Sequence, residues 1–359
     1  MRGSRCAWCR IIILKNEGIK MKKCALCNEK KADKKNTHYL TDAIIRTCIN
    51  YNGGNMRERG FYFNISNDSA FMKFGFQRNT PIEIVKRELN REPTDIDIEN
   101  AKNNPYSVND VFCKDCEDLF GKIEAPFITN IYAKISDLNL NQYPFISIED
   151  SRLIRLFFIL QFWRCHVCHT EIKLSQKIAQ DFRTIINDFI HYDKVDEVRL
   201  KKYPMAVSFI VSLKQEDHTR HFVGMTNESN PYVIFMNDYV IQLYDDMKCV
   251  KYYSLYGLNT KESYKDYINY NEDKFKIQVI QDESWSQISD SYYHSEIIPM
   301  VKKEFVSIYS KTTGCRPSLI EIKNFVCYYE KNKKSLAFTD EMLQYTMNQY
   351  LKEIGFCYE

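Results

Sequence analysis

Residues 24–40 read CALCNEKKADKKNTHYL, and residues 111–120 read VFCKDCEDLF. Each stretch holds two cysteines with two residues between them, and 85 residues separate the pairs. A CxxC turn aims two sulfurs to one side, so two such turns supply the four thiolates of a closed tetrahedral Zn2+ site. The spacing therefore predicts a structural zinc held by Cys24, Cys27, Cys113 and Cys116. The long gap is no obstacle, because the entropy of closing a loop grows only with the logarithm of its length. The competing reading is two pairs of unliganded thiols. It fits poorly, since both pairs lie in polar, lysine-rich turns where apolar thiols are not expected to be buried.

The rest of the chain sets the frame for that site. Its 359 residues suffice for a large core and two or three domains. At 44% hydrophobic and 27% charged, the composition excludes a disordered chain. RIIIL at 10–14 is too short for a signal segment, and LIRLFFILQFW at 153–163 is brief and contains Arg155. A cytoplasmic protein with no membrane span is expected, in which thirteen cysteines read as thiols and metal ligands before disulfides. The net charge of +3 says little about partners. Residues 21–60, however, hold nine Lys or Arg against four Asp or Glu, a basic excess around the first cysteine pair. It reads either as a solvated surface or as a face for nucleic acid. Residues 1–20 precede a second methionine and read as an extension or leader. Its Cys6 and Cys9 form a third CxxC for which no fourth pair is left.

Local patterning predicts an α+β chain. The N-terminal module spans 21–130, with an insertion over about 56–108. In that insertion FYFNIS and FMKFGFQ alternate like paired strands, and TPIEIVKREL and TDIDIENAK read as helices capped by Thr80 and Thr94. The second cysteine of the second pair is expected to open a helix running to about Glu124. Residues 131–200 read as a helical segment with LIRLFFILQFW at its centre. Residues 201–290 contain β-rich runs and predict an antiparallel sheet. Helical periodicity returns over 291–359, where Thr339 or Asp340 caps the last helix.

A knuckle, a hairpin carrying a histidine, a second knuckle and a helix, in that order, form a treble clef of the ββα-metal kind. CALC, THYLTDAII and VFCKDCEDLFGKIE follow that order, and an apolar helix closes on WR in FFILQFWR. On these motifs the chain resembles the His-Asn-His (HNH) nuclease-like bacterial proteins over residues 21–130. The resemblance implies a metal-dependent endonuclease acting on DNA, and such proteins are often effectors of anti-phage defence. His38 stands where the family has its base. Asn109, or alternatively Asp110, stands where the family has the residue that orients it, and Glu117 stands on the following helix, where a residue helps to hold the metal. A carboxylate there suits Mg2+ or Mn2+, and so does Asp110; a helix N-terminus also favours a carboxylate by its dipole alone. Asp42, four residues after His38, shares its face if that segment is helical. The family's IIP is YLT here. Without catalysis, the same module would bind nucleic acid or a partner protein.

Three other clusters of chemistry-bearing residues stand in the sequence. WRCHVCH at 163–169 crowds two cysteines and two histidines onto one helix, where they cannot all point inward, so core packing is expected. HTRH at 218–221 reads as a polar turn between strands. The tyrosines of KYYSLY and SYYH read as packing aromatics before base-stacking ones. No Walker loop, dinucleotide fingerprint or GxSxG elbow is present, which leaves kinase, dehydrogenase and serine hydrolase chemistry unsupported.

Overall fold

The structure is a computed structural model. It describes residues 22–49, 61–65, 73–89, 91–103, 105–136, 143–168, 172–211, 222–226, 229–251, 265–332 and 339–356, with the single positions 71, 138 and 140. The CAWC pair, His169, HTRH and most of KYYSLY lie outside the described residues.

The elements in chain order begin with β1 (Thr37–His38), α1 (Asp42–Ile49), β2 (Phe61–Ile65), β3 (Lys73–Phe76), α2 (Ile82–Leu89), α3 (Asp95–Asn100) and β4 (Ser107–Val108). There follow α4 (Lys114–Leu119), α5 (Gly121–Phe127), α6 (Ala133–Ser136), β5 (Phe145–Ile148), α7 (Ser151–Val167), α8 (Gln176–Tyr192) and α9 (Glu197–Lys201). The second half holds β6 (Met205–Ile210), β7 (Phe222–Met225), β8 (Tyr232–Met236), β9 (Tyr239–Leu243), β10 (Ile268–Asn269) and β11 (Phe275–Ile280). It ends with α10 (Asp282–Tyr292), α11 (Ile298–Thr313), α12 (Leu319–Asn332) and α13 (Asp340–Glu353).

The chain is α+β, as expected, but its sheet differs from the antiparallel one expected over 201–290. Eight strands run in the order β3-β2-β7-β8-β9-β6-β11-β5, and β10 pairs with β6 beside that path. The β2–β7 and β6–β11 pairs are parallel, so the sheet is mixed. Alternation shows that a run is a strand but does not name its partner. The β2–β3 hairpin is antiparallel as predicted, and it extends the sheet beside β7.

Helix α7 lies at the centre because it has no polar side. From Leu153 to Cys165 every side chain is buried. On the sheet side, Phe158 meets Tyr239 and Phe275. Next to it, Phe157 stacks on Phe127 of α5 with ring centres 3.6 Å apart, and Phe127 also meets Phe158 and Tyr239. Arg155 is fully buried. Its Nη1 donates to the Tyr203 carbonyl, 3.1 Å away, and its guanidinium lies over the Phe275 ring. Burial lowers its pKa to about 10, and the charges of Glu272 and Glu197 oppose that shift.

A second core forms where α11, α12 and α13 pack together around Phe305 and Phe325, stacked at 4.3 Å. Phe76, Val85 and Leu89, from the segment between the two cysteine pairs, are buried in the same core. Thr94 caps α3 as expected, and Asp97 bonds back to the Thr94 N–H to complete a capping box that was not expected there. No helix among the described residues is long and apolar enough to cross a membrane.

Candidate metal centre

The two knuckles are built by short-range backbone bonds and then stitched together. In the first, the Asn28 N–H donates to the Cys24 carbonyl at 2.9 Å, and the Cys24 N–H donates to Lys30 at 2.8 Å. Asn28 takes the left-handed turn that this requires, at φ 59°, a conformation Asn tolerates better than most residues. In the second, Cys113 rather than Cys116 stands at the N-cap of α4, and the Glu117 N–H donates back to its carbonyl at 3.1 Å. The helical path also runs past Glu124, where the sequence expectation ended it, through α5 and a π-helical turn to Ser136. Between knuckles, Ala25 N–H donates to Val111, Asp33 and Lys34 N–H both donate to Phe112, and Asp110 N–H donates to Lys34.

These bonds bring together the side chains of Cys24, Cys27, Cys113 and Cys116, whose sulfurs all lie within 4.8 Å of one another. Tetrahedral zinc with sulfurs at about 2.3 Å puts its ligands about 3.8 Å apart, so the donor set fits an ion of that kind. Packing four thiols this closely disfavours thiolates unless a cation joins them. Burial pushes the Cys113 thiol up, and the neighbouring Cys24 adds to this. The Cys116 thiol is raised much further by burial, by its bond with Cys113 and by Cys24. Cys27 behaves oppositely: burial raises it, but the backbone N–H groups of Glu29 and Lys30 outweigh that and bring it to about 7. The described residues thus contain a four-cysteine cluster that can hold a metal such as zinc. No other group of three or more His, Cys, Asp or Glu among them converges in this way.

The remaining predicted residues surround the cluster in a definite pattern. His38 lies on β1, paired antiparallel with β4 so that it faces Ser107. Its Nε2 is 3.6 Å from Asp42 Oδ1, the i,i+4 neighbour, and Asp42 also pairs with Arg46. Asn109 Oδ1 accepts the backbone N–H of Asn36 at 2.8 Å, two residues before His38. Asp110 pairs with Lys35, and Asp115 with Lys30. Glu117 meets Lys34 at 2.9 Å, and Asp118 is 3.9 Å from the same ammonium. The basic first knuckle is therefore clamped to an acidic second one.

One feature of the site was missed in the sequence. Just after His38, the segment 39–41 is held by α7 and α5. Gln161 Oε1 accepts the Thr41 N–H at 3.0 Å, and Cys165 Sγ lies 3.8 Å from the Tyr39 carbonyl. Glu124 Oε1 accepts from the Thr41 hydroxyl at 2.6 Å and from Arg164 Nη1 at 2.6 Å. Arg164 also lies 5.3 Å over the Phe120 ring. A Gln and an Arg three apart on an otherwise apolar helix were the signal, because buried polar groups require partners. In WRCHVCH, Cys165 and Cys168 are both buried, and burial pushes the Cys168 thiol up to about 12 despite Arg164 and Lys22 nearby. That is the expected core packing.

No protein-family model, curated protein or solved structure matches this chain.

Proposed function

We propose that this chain is a zinc-organised treble-clef protein, HNH-like in layout, whose N-terminal module binds nucleic acid. The single observation that carries the reading is the convergence of four sulfurs from two distant knuckles, with β1, which holds His38, and then α4 coming after the first knuckle in the chain. The metal would be Zn2+, which four thiolates suit. DNA is the ligand the resemblance points to, and an effector role in anti-phage defence rests on the same resemblance. Lys22, Lys23 and Lys31 supply the electrostatics: they are exposed, and a bridge sets Lys23 across from Lys31, with Lys22 next in the chain. Purified protein should carry one zinc and retard a DNA duplex in a gel. The triple change Lys22→Glu, Lys23→Glu, Lys31→Glu should abolish retardation while zinc content stays at one. Unchanged retardation in that variant refutes the reading.

A second reading, a Mg2+- or Mn2+-dependent endonuclease, is favoured by the His38–Asp42 pair, which puts a carboxylate 3.6 Å from an imidazole of the kind that serves as a general base. Glu117 and Asp110 would have to leave Lys34 and Lys35 to take up the ion. Plasmid cleavage with Mg2+ or Mn2+ that disappears in His38→Ala, with zinc retained, establishes this activity. An intact plasmid under both metals dismisses it.

A further inference from the structure

Helix α8 has two faces of different character. Ile178, Phe182, Ile185, Ile186 and Ile190 are buried in the core. Gln180, Arg183, Thr184, Asn187 and His191 recur at helical spacing along the other side, and all of them line one groove of about 360 Å³. The opposite wall is the first knuckle, which contributes Cys27 and Glu29. Arg183 fixes the two walls together, because its Nε donates to the Leu26 carbonyl at 2.7 Å. The groove is thus built against the metal cluster, with one of the four ligands in its lining.

Its chemistry selects a class of ligand. The charges of Arg183 and Glu29 oppose each other, so the groove is no anion trap. The carboxamides of Gln180 and Asn187 each present a donor beside an acceptor, the pairing that reads the edge of a base. Tyr192 stands at the end of the row with its side 64% exposed, offering a ring face for stacking. Lys177, also exposed, lies one helical turn before Gln180 on the same stripe. The volume lies near the lower end of ligand pockets, about 300–1,000 Å³, room for a single nucleoside but not for a duplex.

The geometry points to this groove as the seat of one unpaired base of a single-stranded nucleic acid. Asn187 reads the base edge and Tyr192 stacks on the ring, while Gln180 and Lys177, about 10 Å and more back along the helix, meet the adjoining nucleotide. The inference rests on the nucleic-acid reading above and adds to it a strand-selective site away from His38.

The test uses the full-length, metal-loaded protein and fluorescence anisotropy with a labelled 12-nucleotide DNA strand and the matching duplex. Tyr192→Ala and Asn187→Ala change surface side chains, and metal content and circular dichroism report that the fold is kept. Each should weaken single-strand binding about tenfold and change duplex binding less than twofold. Stripping the metal should abolish the strand preference, since the knuckle forms one wall. Single-strand affinity within twofold of wild type in both variants overturns the inference, as does an equal loss on strand and duplex. Duplex binding by a wild type that shows no affinity for the single strand overturns it while sparing the broader reading. If neither probe binds, the nucleic-acid reading falls and takes this inference with it.

Discussion

Removing the carboxylate of Glu124 tests whether the 38–42 segment is held by a buried charge. Arg164 has a side chain only 4% exposed, and Glu124 is 23% exposed. Arg164 Nε has no hydrogen-bond partner, so Nη1 to Glu124 is the polar contact that makes burial of this cation tolerable. In Glu124→Ala the guanidinium stays buried and uncompensated, and the Thr41 hydroxyl loses its acceptor. Breaking a buried pair from one side costs about 3–5 kcal/mol, and the partial exposure of Glu124 places this case near 3. That is a large share of the roughly 5–15 kcal/mol by which domains are stable. Glu124→Gln keeps an oxygen acceptor, and its loss should be about half as large. The double change Glu124→Leu with Arg164→Met removes both charges and should recover most of the loss, because the cost lies in the orphaned ion. Urea titration followed by tryptophan fluorescence suits the purpose, since Trp163 packs against Phe112 and Phe120 beside this network. If Glu124→Ala unfolds within about 0.5 kcal/mol of wild type, or the double change is as weak as the single one, the segment is not held by this charge.

Other perturbations report on neighbouring parts. Stripping metal from the four-cysteine cluster should lower the thermal midpoint and open residues 22–49 to protease, because structural zinc binding contributes on the order of 10 kcal/mol in small modules; an unchanged midpoint in verified metal-free protein would show the cluster to be dispensable. Asn109→Ala leaves the Asn36 N–H without its acceptor and should cost about 1 kcal/mol, read as an equal loss in urea denaturation whether or not DNA is present. Asp97 feels a burial penalty, but its bonds to Arg91 and Thr94 outweigh it and leave its pKa at about 2. Its folded pKa lies below the unfolded value, so its stabilisation, about 2 kcal/mol, is complete above pH 4 and disappears as pH falls toward 2. The stability gap between wild type and Asp97→Asn should close over that window; a constant gap from pH 7 to pH 2 would contradict the assignment.

What could be read in advance follows from the range over which each force acts. The cysteine pairs were legible because a CxxC turn is local and four thiols have one obvious common use. The Thr94 cap was legible for the same reason: a helix cap is settled within one turn. The centrality of α7 followed from its lack of a polar face. Partnership at long range was not legible. Nothing in FYFNI says that it runs parallel to FVGM, more than 150 residues later, and nothing in IEIVKREL says that its apolar side is buried with three C-terminal helices. The helix start at Cys113 depended on which cysteine turned the chain, and the CxxC spacing is the same either way.

The basic excess of residues 21–60 shows how closing the metal site changes the meaning of local composition. Counted along the chain, those lysines and arginines have few acidic neighbours. The opposing carboxylates, Asp110, Asp115, Glu117 and Asp118, sit beside the second cysteine pair and approach only once the sulfurs converge. Exposed pairs of this kind contribute about 0–1 kcal/mol each, so the clamp adds little to stability. Its effect is on recognition. Lys30, Lys34 and Lys35 are paired with those carboxylates at the surface, and among the described residues 22–49 the lysines outside the clamp are Lys22, Lys23 and Lys31. Binding through three lysines is weak and strongly salt-dependent, so the carboxamide and ring contacts proposed for the α8 groove would add affinity that salt does not screen. The same clamp works against hydrolysis, since the carboxylates a catalytic ion would need are already neutralised by the lysines that the metal cluster delivers to them.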